Sequence, residues 1–400
     1  MLVIAAPGQG AQTPGFLEPW LELPGVAERV EAWSELAGRD LIRFGTVAGA
    51  DEIRDTSVAQ PLLVAAALAA AGALGIGHDQ DQGQHGAMVA GHSVGELAAG
   101  AVAGVIAPDD AVRLVSVRGR AMAEAATAEA TSMTAVLGGD EAVVLRSIEA
   151  HGLTAANING AGQIVAAGTV EQLALFAFDA PIGARLRPLQ VAGAFHTSHM
   201  ASAVDKLRAA AKTVQVHDPV LTVLSNRDGA VVRIGADWRD RICTQVSAPV
   251  RWDSCMTTMS RLGATAFLEL PPAGTLVGLA RRALPGVQVL AVKTPADLDA
   301  ARALLAEHDV HPDSYAPEWR LLVAPQAGTF RSSAPDRPGV SVGSGAELGR
   351  VEIRGGSHLV TATFPATIIE WLVEDGDPVS PGQPLVRLEP AHAIAQEDTF

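Results

Sequence analysis

Short apolar runs alternate with alanine-rich stretches through the first three quarters of the chain. Leu2–Ala6 and residues 87–90, 221–224 and 266–270 are apolar segments bounded by glycine or polar residues. Strands of this kind, separated by helical texture, predict a largely parallel sheet covered by helices. Between residues 133 and 190 the texture becomes strand, helix, strand, strand, helix, strand, with 133–138 and 164–168 the clearest strands. That order predicts a small α+β subdomain inserted into the larger one. The pattern weakens over 306–315, and from Leu321 onward runs of four to seven residues rich in Val, Gly and Pro predict a small all-β module. Its hairpins are expected across Gly355-Gly356, between 350–354 and 357–360, and at Glu374-Asp375-Gly376-Asp377. Residues 61–77 are uncharged and almost long enough to span a bilayer. They are mostly alanine and glycine, which contribute little to membrane transfer, so a buried helix is expected.

Composition narrows the function classes. Four hundred residues at 48% hydrophobic exceed one ordinary core, so two or three folded units are expected. A net charge of -15 with no long basic run argues against nucleic acid and anionic membranes as partners. Cys243 and Cys255 are too few for a disulfide framework and lack zinc-site spacing. The apolar start leads without a basic segment into Pro7-Gly8-Gln9-Gly10, which suits a first strand better than a signal peptide. A cytoplasmic protein with reduced thiols is the expectation.

The candidate chemistry begins at Gly91-His92-Ser93-Val94-Gly95, between a short strand and a helical run from Glu96. This is the pattern of a nucleophile elbow, in which glycines flank the serine because the sharp turn crowds any side chain. The following helix start directs free amides to where negative charge would develop. A serine needs a base, and Gly193-Ala194-Phe195-His196-Thr197-Ser198-His199-Met200 offers two histidines, between which spacing alone does not choose.

Taken together, Gly8-Gln9-Gly10-Ala11-Gln12, Gly91-His92-Ser93-Val94-Gly95-Glu96, Arg118-Gly119-Arg120 and Gly193-Ala194-Phe195-His196 resemble the malonyl-CoA:acyl carrier protein transacylases over about residues 1–295. The resemblance implies an α/β-hydrolase-like large subdomain (1–125 and 192–305) with a ferredoxin-like insert (126–191). It implies Ser93 as acyl nucleophile and His196 as general base, leaving His199 a bystander. The base would be oriented by the backbone carbonyl of Gln245, whose side chain should tolerate substitution better than Ser93. The backbone amides of Gln9 and Val94 would form the oxyanion hole, and Arg118 would pair with the free carboxylate of a malonyl group. Phe195 resembles the malonyl-type rather than the methylmalonyl-type signature and should leave little room for an α-methyl group. The reaction implied is ping-pong transfer from malonyl-CoA to the phosphopantetheine thiol of an acyl carrier protein, supplying fatty-acid or polyketide synthesis without metal or redox cofactor. Carrier proteins are typically acidic, so a basic patch is expected near the cleft. Arg281 and Arg282 are the first candidates for it, Lys206 and Arg208 the second.

The C-terminal segment 321–390 resembles the biotinyl/lipoyl carrier fold through Ala324-Pro325-Gln326-Ala327-Gly328, Val351-Glu352 and Glu374-Asp375-Gly376-Asp377. The position where that family carries its modified lysine falls at Gly355, and no lysine follows Lys293. Amide-linked biotin or lipoate is therefore excluded there, and the module reads as a docking or stabilising domain for a further protein partner. A linker at 306–320 and a frayed tail at 391–400 complete the expected organisation. Two rival readings are a serine esterase or thioesterase, which leaves Arg118 unexplained, and an inactive acyltransferase used as a scaffold, which leaves Ser93, His196 and Arg118 without purpose.

Overall fold

The computed structural model describes residues 1–77, 87–308, 320–333 and 339–390. The chain divides into two compact units, Met1–His311 and Pro312–Phe400. Most of the expected linker and all of the expected tail lie outside the described residues.

In the first unit a six-stranded sheet runs in the order Gln288–Ala291, Ala266–Glu269, Leu2–Ala6, Met88–Gly91, Thr222–Leu224 and Val231–Val232. The first five are parallel, and Val231–Val232 returns antiparallel beside Thr222–Leu224. Every residue of Leu2–Ala6 is buried, which is why the central strand is uniformly apolar rather than alternating. The apolar helix expected at 61–77 spans Thr56–Ala73 instead. Asp55 starts it early by accepting the Ser57 amide at 2.7 Å, a cap that outweighs the amide lost at Pro61 inside the helix. By length and composition this helix could cross a membrane, but 89% of its residues are buried within the protein.

The helix Pro108–Ala125 packs on it. A Cβ at Gly119 would stand 2.9 Å from the Thr56 carbonyl oxygen, so glycine is what lets the two backbones approach. The helix Leu298–Glu307 runs two residues beyond the expected boundary at 305.

The inserted segment follows the expected order of elements. Its strands lie as Ala184–Pro188, Thr131–Gly138, Gln163–Thr169 and Thr154–Gly160, each antiparallel to its neighbour, the ferredoxin-like arrangement. Helices Glu141–Ala150 and Val170–Phe178 cover it over a separate core containing Val136, Ile148, Ile164 and Phe176. The short strand Val250–Arg251 adds to its edge, parallel to Thr154–Gly160. A two-residue strand leaves no periodicity to read in the sequence, so this tether was not foreseen.

Among the described residues the second unit forms two four-stranded sheets. The expected hairpin joins Glu347–Ile353 to Gly356–Thr361, with one correction. Gly356 pairs with Ile353, so the turn is Arg354-Gly355, and Gly355 supplies the positive φ of 100° that it requires. A second correction concerns Glu374–Asp377. Its turn, with Gly376 at φ 99°, leads from Ala366–Trp371 in one sheet to Pro378–Val379 in the other, rather than closing a hairpin.

Candidate active site

Ser93 stands at the turn between strand Met88–Gly91 and helix Gly95–Val102, with φ at 53°. Both flanking glycines are sterically required. A Cβ at Gly91 would lie 2.0 Å from the Gly95 carbonyl carbon, and one at Gly95 would lie 2.2 Å from the Ala6 oxygen. Fully buried Asn226 braces the strained turn, accepting the Ser93 amide at 2.7 Å and donating to the Gly91 carbonyl at 2.7 Å.

The serine hydroxyl meets His196 Nε2 at 2.7 Å, and His196 Nδ1 meets the Gln245 carbonyl oxygen at 2.8 Å. A carbonyl only accepts, so Nδ1 carries the proton and the Nε2 lone pair faces the serine. His199 points elsewhere, toward Glu129 at 3.0 Å. The base is held by a backbone oxygen where a hydrolase of the rival kind would place a carboxylate.

Burial, reinforced by the positive charge of Arg118, pushes His196 down from 6.5 to about 3. The imidazole is therefore a free base throughout the neutral range. Acylation of Ser93 is expected to hold its rate down to about pH 5, where an ordinary histidine would be largely protonated. Stopped-flow acylation across that range checks this, and a half-maximal rate near pH 6.5 would contradict it. The stability sign follows from the same shift. Because the folded value lies below the unfolded one, the His196 contribution is complete above 6.5 and is lost as pH falls toward about 3. Glu96 acts oppositely, since burial raises it from 4.5 to about 7 and its contribution fades as pH rises through that window.

Arg118, on the helix Pro108–Ala125, has no solvent exposure. Its Nη1 donates to Gln60 Oε1 at 2.7 Å, and its Nη2 to Gln245 Oε1 at 2.8 Å and to Ser93 Oγ at 3.3 Å. Burial lowers it to about 10, opposed by the Glu96 charge, so it remains a cation at neutral pH. A desolvated guanidinium beside a serine hydroxyl is chemically suited to pair with an anion. Its sequence neighbours have ordinary roles: Arg113 pairs with Asp110, and Arg120 donates to the Ala37 carbonyl.

Beyond the backbone carbonyl expected to orient His196, the side chain of Gln245 is itself engaged at the site. Its side chain accepts from Arg118 and donates to the Ser93 carbonyl at 3.0 Å, to Glu96 and to Asn226. The sequence reading also missed Gln60, Glu96 and Asn226. Gln60 stands one residue before the apolar run expected as a buried helix, and the earlier start at Asp55 is what places it inside. Glu96 closes the serine motif Gly91-His92-Ser93-Val94-Gly95-Glu96 but was assigned no role there, and Asn226, beside an Arg-Asp-Gly turn, reads as an ordinary surface residue.

Ser93, His196, Phe195, Gln9 and Val94 line a cavity of about 190 Å³ that also touches His92 and Asn159 on the insert side. Among the described residues, neither the Gln9 nor the Val94 backbone amide donates to a protein acceptor. Arg281 and Arg282 are exposed at the end of the helix Thr275–Ala283, whose Thr275, Leu276 and Leu279 line the same cavity. Neither has an acidic partner among the described residues, whereas Lys206 pairs with Glu124 and Arg208 with Asp205. No group of three or more His, Cys, Asp or Glu among the described residues is placed to hold a metal ion.

Residues 7–301 match the acyl transferase domain family. The malonyl CoA-acyl carrier protein transacylase of Mycobacterium tuberculosis H37Rv is 53% identical over 304 residues, covering 75% of this chain and 98% of its own. The crystal structure of an MCAT from M. tuberculosis superposes with a TM-score of 0.73 at 52% identity, over 76% of this chain and 99% of that one. A malonyl-transacylase solved in complex with its type II polyketide-synthase acyl carrier protein, in holo form, superposes at 0.70 with 29% identity, over 76% and 99% of the two chains.

Proposed function

The chain belongs to the acyl transferase domain family, and from that premise we propose that it carries a malonyl group from coenzyme A, as an ester on Ser93, to the phosphopantetheine thiol of an acyl carrier protein. The observation that carries this reading is the buried Arg118 guanidinium 3.3 Å from the Ser93 hydroxyl. It gives a free acyl carboxylate a partner at the depth where the other end of the group would meet the nucleophile.

His196 Nε2 takes the hydroxyl proton as Ser93 Oγ attacks the thioester carbonyl. The Gln9 and Val94 amides receive the oxyanion, and each such donor contributes on the order of a hundredfold in rate. The C–S bond breaks, and the coenzyme A sulfur leaves with the proton from His196. The carrier thiol then gives its proton to His196 and attacks the ester, and Ser93 departs as an alcohol with that proton. Neither metal nor redox cofactor enters any step. Phe195 in the cavity wall favours malonyl over its α-methyl homologue. The product supplies fatty-acid or polyketide synthesis, and the cytoplasm is the proposed location.

Exposed and without an acidic partner among the described residues, Arg281 and Arg282 are the proposed contact for the acidic carrier, since rim charges mainly set encounter. Reversing both to glutamate is expected to raise the apparent KM for carrier protein roughly tenfold while acylation by malonyl-CoA is unchanged. An unchanged KM would remove the patch from the account. The second unit, biotinyl/lipoyl-like in its motifs but without a lysine, is proposed as a docking or stabilising module for a further protein partner.

A further inference from the structure

Glu96 is the second residue of the helix Gly95–Val102 after the elbow, yet it is only 1% exposed. An acidic residue there could satisfy the helix start equally well from the surface, so its burial calls for another explanation. Both oxygens are engaged. Oε1 accepts the Asn226 amide at 3.3 Å and Oε2 accepts from Gln245 Nε2. The same Nε2 donates to the Ser93 carbonyl at 3.0 Å, and on the other side of the amide Gln245 Oε1 accepts from Arg118 Nη2 at 2.8 Å.

Acceptors on one side and a donor-only guanidinium on the other leave the Gln245 amide one orientation. Turned over, it would set its NH2 against Arg118 and its carbonyl oxygen against Glu96. We propose that Glu96 is a positioning residue: it fixes the Gln245 amide and, through it, aims Arg118 at the acyl group on Ser93. This rests on the malonyl reading above. An acceptor lone pair is available to Gln245 whether Glu96 is ionised or protonated, so the role does not depend on its charge.

The test compares Glu96→Gln, which keeps an acceptor oxygen, with Glu96→Leu, which has none, and with Glu96→Asp, which withdraws it by one methylene. Each is made alone and with Gln245→Met, and kcat/KM is measured for malonyl-CoA and acetyl-CoA together with Tm. Glu96→Leu is expected to lower the malonyl-to-acetyl ratio roughly 10- to 100-fold, mainly through KM for malonyl-CoA. Glu96→Asp should lower it less, and Glu96→Gln should retain it. In the Gln245→Met background the Glu96 substitutions should have no further effect on the ratio. If Glu96→Leu does not fold, the aspartate and glutamine variants carry the comparison. Equal losses on both donors, or additive losses with Gln245→Met, would overturn the positioning role. A wild-type protein without preference for malonyl would instead overturn the reading on which it rests.

Discussion

Replacing Ser93 with alanine is expected to reduce malonyl transfer to holo carrier protein by at least about 10⁴-fold, with little change in Tm. The size of the effect follows from the chemistry, because without the hydroxyl no ester forms and the two half-reactions are uncoupled. The fold should tolerate the change. The backbone at φ 53° is held by Asn226 through the amide and by the glycines on either side, none of which touches the hydroxyl. A transfer assay beside a thermal melt checks this. Transfer surviving within about tenfold would move the nucleophile elsewhere.

Arg118→Ala is expected to lower kcat/KM for malonyl-CoA by roughly 10²- to 10³-fold, since a buried carboxylate left without its counter-charge costs about 3–5 kcal/mol. Acetyl-CoA carries no such carboxylate and should lose far less, so the donor preference should collapse. The guanidinium is fully buried between Gln60 and Gln245, and its removal leaves two glutamine carbonyl oxygens without their donor. A general loss of stability is therefore expected alongside the specific one. Only the ratio of the two donors isolates the carboxylate contact. Equal losses on both would assign Arg118 a structural role.

Much of this was legible from residues alone. The uninterrupted apolar runs identified the core sheet, and the pentapeptide around Ser93 identified the elbow, because both follow from local sterics. The choice of His196 over His199 was not local. The two histidines lie three residues apart, His196 in a turn and His199 in the short 3-10 helix Ser198–Met200, and the path of Thr244 to Val246 brings the Gln245 carbonyl to His196. The polar network beneath the serine was the least visible. Gln60, Glu96 and Gln245 come from three separate helices and Asn226 from a turn. Their hydrogen bonds span up to 152 positions in sequence, from Ser93 to Gln245, and no periodicity marks such pairings. In the second unit, turn chemistry identified Gly355 and Gly376, while the assignment of strands to two sheets depended on pairings that turn residues do not specify.

The most direct test of the central claim is the intact mass of the protein after brief exposure to malonyl-CoA, with peptide mapping of any adduct, for wild type and Ser93→Ala. One malonyl group on wild type, located at Ser93, discharged by holo carrier protein and absent from the variant, is the predicted result. An unmodified wild type, or an adduct that persists in Ser93→Ala, would contradict it.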